Sequence, residues 1–455
     1  MYEENYEKLK EQVSFDKNLR HTIKDSLLFP FTTRKNERIT LERGFKGIFG
    51  EFSRLVCEKA LPESFSNEKM IEDILCSEEL KSSNEDKKYL KKLIREYLVD
   101  NNELNIVHPY LFLYTFPTGG DSGKGEIKIA EFMKEIFLKD VDEFKYFYEK
   151  EEELDFFSLL ILENIEKLAD KKTEIKYYSK LDFITKIFNE DMKFALKNKD
   201  FLIKNAESIF AYYYFYYITQ LSLKLKKENN DLVNEPEELY YLLDWESIGK
   251  KRKTVKKGYQ FLKDNYKELF AEINRMEHIN ILLGTKRLFY SELKEHWENL
   301  YEEDQKDFIY YFKLWIKDYR LKNKFISDEF DELYSNDFES LNKIFLNSLI
   351  DGIPAATRSR YPLSIEAIAR KYFIKRRGSY GFVLNIKQDM LLLITQLCIK
   401  NNKKIKLIHL FEEYNKRGLY FDRDSQFKII DLLNNLNLID KKSDSGDAQY
   451  VKSIL

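Results

Sequence analysis

Basic residues are concentrated in two segments of the chain, and cations at this density are the side chains that neutralise phosphate. The first segment is 249–258, which has the sequence GKKRKTVKKG. Its candidate phosphate-binding residues are Lys250, Lys251, Arg252, Lys253, Lys256 and Lys257. The run predicts either a contact with a DNA backbone or a solvated loop that nearby acidic residues balance, and the sequence leaves both alternatives open.

The second basic segment, 358–377, precedes the last predicted domain. Its candidate DNA contacts are Arg358, Arg360, Lys375, Arg376 and Arg377. Further candidates within that domain are Arg423, Lys428, Lys441 and Lys442. Because phosphate contacts fix the register of a protein on a duplex, we expect these cations to serve a predicted nucleic-acid-binding helix.

The elements predicted over the last seventy residues are those of a winged helix-turn-helix. The pattern predicts a helix over Lys387–Ile399, a strand over Lys404–Leu407 and a helix over Ile408–Arg417 that Gly418 ends. A further helix runs to about Asn437, with Asp424 or Ser425 as its N-cap. Its predicted apolar face consists of Phe427, Ile430, Leu433 and Leu436.

A hairpin of two strands, Leu438–Lys442 and Ala448–Lys452, completes this predicted domain. The outer face of the second helix offers Gln426, Lys428, Asp431, Asn434 and Asn435. Asn and Gln hydrogen-bond adenine edges, whereas Asp431 repels phosphate. A DNA partner and a protein partner are therefore both open for this helix.

The loop Pro117–Gly125 (PTGGDSGKG) superficially resembles a phosphate-binding loop. Thr118 stands where such a loop needs its first glycine, and Gly125 replaces the hydroxyl residue that binds magnesium. A flexible surface loop is the favoured interpretation, although its backbone amides leave an anion contact open.

The tripeptide Glu-Ile-Lys at 126–128 and at 174–176 raises the alternative of a metal-dependent nuclease. In such enzymes carboxylates hold Mg²⁺, which activates water. Asp121, Glu126 and Lys128 are the residues of this alternative site. Such triplets arise by chance in a chain this rich in Glu and Lys, so we expect no catalytic residues.

Histidines and cysteines do not form a metal-ligand pattern. None of the five histidines has another His or Cys at metal-ligand spacing, and the three cysteines are Cys57, Cys76 and Cys398. We therefore expect no metal and no other cofactor. The aromatic run Ala211–Ile218 (AYYYFYYI) predicts a buried helix rather than a platform for bases, because consecutive helical residues point in all directions.

Composition predicts a mainly α, multi-domain helical protein. The chain has 455 residues, 43% of them hydrophobic, with only 7 Pro and 15 Gly. The predicted domains are an N-terminal helical domain (1–235), a central helical domain (236–355) and a C-terminal winged-helix-like domain with its preceding basic segment (356–455). Without a predicted secretory signal or membrane span, we expect a cytoplasmic protein.

The C-terminal sequence resembles a known family. Tyr361–Cys398 and Arg417–Lys452 are similar to the C-terminal part of the G component of DNA phosphorothioation-dependent restriction systems, the DptG/DndG family. The resemblance implies a bacterial defence protein that acts with an ATPase-like subunit and a translocase-like subunit. Together they would restrict DNA that lacks the phosphorothioate mark.

Three hypotheses follow from these patterns. In the first, the chain is a non-catalytic subunit of a DNA restriction complex, and it contributes double-stranded DNA contact, subunit assembly or both. In the second, it is a nuclease with a cryptic metal site. In the third, it is a pure protein-protein adaptor that does not bind DNA.

Overall fold

Helices dominate the secondary structure, as the composition predicts. The computed structural model describes residues 1–21, 27–62, 64–76, 84–100, 103–149, 156–172, 174–227, 234–324, 335–441 and 449–454. The helices of these residues, in chain order, are α1 (Tyr2–Gln12), α2 (Lys46–Val56), α3 (Asn67–Leu75), α4 (Asn84–Leu98), α5 (Asp121–Phe137), α6 (Val141–Phe147), α7 (Phe156–Asn164), α8 (Asp182–Lys197), α9 (Lys199–Lys224), α10 (Lys253–Lys256), α11 (Tyr259–Tyr266), α12 (Leu269–Leu282), α13 (Tyr290–Glu298), α14 (Glu302–Lys322), α15 (Phe338–Gly352), α16 (Ala355–Arg360), α17 (Leu363–Ile368), α18 (Gln388–Ile399), α19 (Leu407–Lys416) and α20 (Arg423–Asn435).

The strands are short and lie between these helices. They are β1 (Lys59–Ala60), β2 (Val99–Asp100), β3 (Glu103–Leu104), β4 (Ala169–Asp170), β5 (Leu242–Leu243), β6 (Ile374–Arg376), β7 (Phe382–Ile386), β8 (Lys404–Lys406), β9 (Ile439–Lys441) and β10 (Gln449–Lys452).

The chain divides into two compact units. Unit A comprises residues 1–38, 180–183 and 215–455, and unit B comprises residues 39–179 and 184–214. This grouping follows spatial contacts rather than chain order. The boundaries near residues 235 and 355 that the sequence indicates stay a prediction.

Unit B has α2 and α5 at its centre. Two glycines let α2 approach the chain closely, because a Cβ at Gly47 would lie 2.3 Å from the Phe116 carbonyl oxygen and one at Gly50 would lie 1.9 Å from Thr115 Oγ1. Phe49 of α2 is fully buried, with its ring centroid 4.6 Å from that of Phe112. The stretch 107–116 is a connector that contains a buried 3₁₀ helix at Pro109–Tyr114.

The aromatic run of α9 is buried throughout. Every residue of Ala211–Ile218 is at most 4% exposed, so the prediction of a buried helix is confirmed. The hydroxyl group of a buried tyrosine usually has a hydrogen-bond partner. In unit B the hydroxyl of Tyr213 donates to Asp191, and in unit A that of Tyr216 donates to the Lys416 carbonyl oxygen at 2.8 Å.

Unit A contains a helical core and two small sheets. The core is formed by α1, α12, α14 and α15 around Trp315, which is fully buried. One sheet has the order β5-β7-β6, with β5 parallel and β6 antiparallel to β7. The other has the order β8-β10-β9 and is antiparallel.

The described residues contain no candidate for a membrane-spanning helix. None of the helices in the described residues combines the length and the apolar character that crossing a bilayer requires.

One histidine is fully buried in the helical core of unit A, and a second lies half-buried beside it. His278 of α12 is fully buried, and its Nε2 lies 3.2 Å from the carbonyl oxygen of His21. Since a carbonyl oxygen only accepts, Nε2 of His278 carries a proton. Burial disfavours the charged ring and keeps the imidazole neutral. Burial lowers the pKa of His278 to about 3 and that of His21 to about 4.

These lowered pKa values predict a loss of stability in mild acid. In the unfolded chain histidine protonates near pH 6.5, whereas the folded protein resists protonation until much lower pH. The stability that neutral His278 contributes is therefore present above pH 6.5 and declines as the pH falls toward 3. We expect the free energy of unfolding to fall by about 2 kcal/mol per buried histidine between pH 7 and pH 5.

Urea unfolding across this pH range tests the expectation with two variants. His278→Phe removes one titrating group, so its stability should fall less steeply toward pH 5. Phe345→Leu alters a buried neighbour whose ring lies 5.7 Å from that of His278. It should lower stability at every pH and keep the wild-type slope. Equal slopes for His278→Phe and the wild type would contradict the assignment.

Candidate nucleic-acid interface

The C-terminal segment has the predicted elements in the predicted order. Helix α18 is followed by β8, α19, α20, β9 and β10, and the last strand lies between the other two. Val451 of β10 is fully buried and is paired with Ile405 of β8 and Ile439 of β9. The alternating partners Lys404, Lys406 and Tyr450 lie on the opposite face of this sheet.

Gly418 ends α19 as predicted. Its φ is +73°, and the amide of Leu419 returns to the carbonyl oxygen of Tyr414 at 2.9 Å, which completes a glycine C-cap. A Cβ at this position would also lie 2.2 Å from Cε2 of Tyr216. Glycine is therefore required for both backbone conformation and space.

Two expectations for α20 need correction. Its N-cap is Asp422, whose side chain accepts from the Ser425 amide at 3.2 Å, rather than Asp424 or Ser425. Its buried residues are Ser425, Ile429 and Leu433. Phe427 and Leu436, which were expected in the core, are 52% and 40% exposed. The buried face is shifted because Ser425 hydrogen-bonds into the core, which the apolar pattern does not reveal.

The exposed side of α20 carries charges of both signs. The guanidinium of Arg423 lies 5.5 Å from the ring centroid of Phe427. Lys428 lies 3.7 Å from Asp431, and both side chains are exposed. Of the hairpin candidates, Lys441 is described by its backbone in β9, and Lys442 lies outside the described residues together with the turn 443–447.

Arg252 of the first basic segment is not a surface residue. Its side chain is 11% exposed, and Nη2 donates to Glu246 Oε1 at 2.5 Å and to Asp422 Oδ1 at 2.6 Å. The same nitrogen donates to Ser425 Oγ at 2.8 Å, and Ser425 Oγ lies 2.9 Å from Glu246 Oε2. Burial raises the pKa of Asp422, but hydrogen bonds from Arg252 and from the Ser425 amide outweigh it, and the net shift is downward. We call these four residues the Arg252 network.

The remaining cations of 249–258 are exposed. Lys253 Nζ donates to the hydroxyl of Tyr240 at 2.9 Å, and Lys257 Nζ donates to Glu238 Oε2 at 2.7 Å. The side chains of Lys250, Lys251 and Lys256 are also exposed. The Arg252 network holds this exposed set next to the N-terminus of α20.

The basic cluster 375–377 contacts residues 243 and 244, which lie close to Glu246 in the chain. Lys375 Nζ donates to Asp244 Oδ1 at 2.7 Å, and this bond lowers the pKa of Asp244. Arg377 Nη2 donates to the Leu243 carbonyl oxygen at 2.9 Å and to Asn385 Oδ1 at 3.0 Å. Arg376 between them is exposed. Lys375 and Arg377 therefore hold β5 against β7, and Arg376 faces solvent.

The two earlier arginines of the second segment lie on α16. Arg358 pairs with Glu268, and its Nε donates to the Ile353 carbonyl oxygen at 3.2 Å. Arg360 is exposed.

The two basic segments and helix α20, which are distant from one another in sequence, thus meet at residues 240–246. The first basic segment reaches this stretch through Arg252 and Lys253, and the second reaches it through Lys375 and Arg377. Helix α20 reaches it through Ser425. We call the exposed cations around this stretch the convergent basic surface; they are Lys250, Lys251, Lys256, Arg376 and Arg423.

Sequence reasoning missed the acidic residues that build this surface. Asp244 lies 131 positions from Lys375 and Asp422 lies 170 positions from Arg252, and no local pattern connects these pairs. Glu246 is six positions before Arg252, so it is one of the nearby acidic residues that the solvated-loop alternative expected. Asp422 also had a local sign, since Asp is a preferred N-cap and precedes the helix directly.

The carboxylates of the alternative nuclease site, Asp121 and Glu126, lie in unit B, and each has a different partner. The expected flexible loop is in part helix, because α5 begins at Asp121. Glu126 is 1% exposed, and its carboxylate accepts from the Thr118 amide at 2.7 Å and from the Thr118 hydroxyl at 2.8 Å. Burial raises the pKa of Glu126. Asp121 pairs with Lys124 at 2.6 Å.

Within the described ranges, no three or more His, Cys, Asp and Glu side chains lie together as a group that could hold a metal ion.

No protein-family model matches the chain, and no curated protein matches it significantly.

Removing Arg252 should destabilise the protein strongly. Arg252→Ala leaves the carboxylates of Glu246 and Asp422, which are 3% and 10% exposed, without their cation. Breaking a buried pair in this way costs about 3–5 kcal/mol. Urea unfolding measures the loss. Lys250→Ala, two positions away and exposed, is the control and should change stability little. Equal stability of the two variants would contradict the structural role of Arg252.

Glu126 should act as a structural residue in a stability test. Glu126→Ala leaves the Thr118 amide without its partner and should cost about 1–3 kcal/mol in urea unfolding. In Glu126→Gln the amide oxygen still accepts from the Thr118 amide, and the new NH2 group can donate to the Thr118 hydroxyl oxygen, so this variant should lie close to the wild type. Because the pKa of Glu126 is raised, the wild type should lose stability relative to Glu126→Gln as the pH rises from 4.5 through the raised value.

The same pair of variants separates this role from catalysis. Magnesium-dependent DNA cleavage by the pure protein that is lost in Glu126→Gln, at unchanged stability, would overturn the structural assignment and establish the nuclease alternative.

Proposed function

We propose that the chain is a non-catalytic subunit of a bacterial DNA restriction and anti-phage defence complex that contacts double-stranded DNA through the convergent basic surface and α20. The observation that carries the proposal is the meeting of the two basic segments and α20 at residues 240–246. The companion subunits, one ATPase-like and one translocase-like, follow from the resemblance of the C-terminal sequence. A cytoplasmic location follows from the same proposal.

In the proposed function, residues 388–454 form a winged helix-turn-helix. The order α18-β8-α19-α20-β9-β10 supports it, as does the position of β10 between β8 and β9. In such a domain the second helix of the pair enters the major groove and the hairpin lies beside it. Helix α20 is then the recognition helix, and the cations next to its N-terminus are positioned to contact the phosphates that flank the groove.

The electrostatics set the expected strength of this contact. The convergent basic surface offers five exposed cations, whereas Arg252 and Arg377 are occupied by protein acceptors. If all five contact phosphate, the slope of log affinity against log salt is about −4.5. This slope measures how many phosphates the surface neutralises.

A second candidate function, the protein-protein adaptor, has an observation of its own. Phe427 and Leu436 on α20 are 52% and 40% exposed, and Asp424 and Asp431 on the same helix are exposed as well. Exposed apolar residues favour a protein partner, and carboxylates disfavour phosphate.

Fluorescence anisotropy of a labelled duplex against the full chain, at several salt concentrations, tests the proposal. The test variant is Lys250→Glu/Lys251→Glu/Arg376→Glu, which avoids the structural Lys375 and Arg377. The matched control, Lys172→Glu/Lys286→Glu/Lys343→Glu, reverses three exposed lysines elsewhere. We expect the test variant to bind at least tenfold more weakly and to lose about 2.7 from the salt slope.

The outcomes separate the two candidates. Equal affinity of the test and control variants would remove the basis for the convergent basic surface. Absence of duplex binding at low salt would leave the adaptor, which Phe427→Ala should then impair in a binding assay with the companion subunits. A titration with phosphorothioate DNA measures whether the modification changes the affinity.

A further inference from the structure

An arginine and an exposed aromatic residue are stacked at the hairpin formed by β6 and β7. The guanidinium carbon of Arg370 lies 4.7 Å from the ring centroid of Phe382. Phe382 is 36% exposed although it begins a strand whose other residues are buried. The Arg370 side chain is 53% exposed. The pair therefore presents a planar stack to solvent.

Arg370 forms a loose ion pair. Its Nη2 lies 3.6 Å from Glu366 Oε2, and the other oxygen of that carboxylate lies 3.6 Å from Lys263 Nζ. This contrasts with Arg252 and Arg377, whose guanidinium groups donate hydrogen bonds of 2.5–3.1 Å to buried acceptors. A guanidinium that is stacked on one face and weakly paired in its plane is suited to a second stacking partner.

The surroundings of the stack are open and basic. Arg376 is paired with Phe382 across the two strands, and it belongs to the convergent basic surface. The tip of the hairpin contains Gly378 and Gly381, both with positive φ, and a Cβ built on either would meet no heavy atom within 4 Å. A flat ligand and a phosphate therefore have space at this end of the hairpin.

We propose that the hairpin binds an unpaired nucleotide of DNA, whose base stacks on the Arg370 guanidinium as the third layer over Phe382 while Arg376 contacts the adjoining phosphate. A base in the interior of a duplex has both faces covered by its neighbours, whereas an unpaired base offers a free face. This inference rests on the proposed DNA-binding function and adds to it a preference for a single-stranded stretch.

The test compares single-stranded and duplex oligonucleotides on the full-length protein. Arg370→Lys keeps the charge but removes the planar group, and Phe382→Leu keeps an apolar side chain but removes the ring. Base stacking on side chains of this kind changes affinity by about fivefold to a hundredfold per base. We expect each variant to weaken binding of labelled oligo-dT by fivefold or more and to leave duplex binding within twofold of the wild type.

Matched controls come from unit B. Arg95 is also 53% exposed and pairs with a glutamate, Glu68, so Arg95→Lys makes the same chemical change elsewhere. Tyr89 is an exposed aromatic residue, and Tyr89→Leu matches Phe382→Leu. Both controls should bind oligo-dT as the wild type does. Fluorescence of 2-aminopurine in the oligonucleotide reports stacking directly and should be quenched by the wild type but much less by Arg370→Lys.

Each result decides between the two ideas. Wild-type oligo-dT affinity and quenching in Arg370→Lys would overturn the hairpin site even if charge reversal of the convergent basic surface abolishes duplex binding. A second result is that the wild type binds oligo-dT but no duplex, and that Arg370→Lys and Phe382→Leu weaken oligo-dT binding. This result would overturn the double-stranded part of the proposed function and keep the hairpin site. Binding of neither oligonucleotide by the wild type would overturn both.

Discussion

The Arg252 network is the interaction on which the arrangement of the candidate interface depends. A guanidinium, two carboxylates and a hydroxyl meet where they are almost excluded from water. Charges in such a place are tolerated only when each hydrogen-bonding position is filled. Because the partners come from the first basic segment, the stretch 240–246 and the N-terminus of α20, satisfying them fixes three segments in one arrangement.

This constraint divides the cations of the two basic segments into two kinds. Arg252, Lys375 and Arg377 bind protein acceptors and hold segments together. Their exposed neighbours, such as Lys251 and Arg376, keep their charge at the surface. The two kinds alternate along the sequence, so the cations that bind protein acceptors also fix the positions of their exposed neighbours. This also means that charge density alone overstates the number of phosphates a segment can neutralise.

The helix α20 shows how burial of a polar residue changes an amphipathic pattern. Ser425 turns inward because Arg252 and Glu246 offer it hydrogen bonds. Ile429 and Leu433 follow it into the core at four-residue spacing, which leaves Phe427 and Leu436 outside. A pattern of apolar residues predicts the helix correctly, but it assigns the wrong face when a polar anchor sets the rotation. The exposed Phe427 is therefore a consequence of the same network.

The sequence by itself determined the helical class, the buried aromatic helix, the C-terminal order of elements and the glycine that ends α19. These features depend on local propensity, periodicity and backbone conformation, which neighbouring residues decide. Tertiary structure alone decided which cations are exposed, where Glu126 lies and which face of α20 is buried. Those outcomes depend on partners such as Asp422 for Arg252, 170 positions away, and a hydrogen bond over that separation leaves no periodic trace in the sequence.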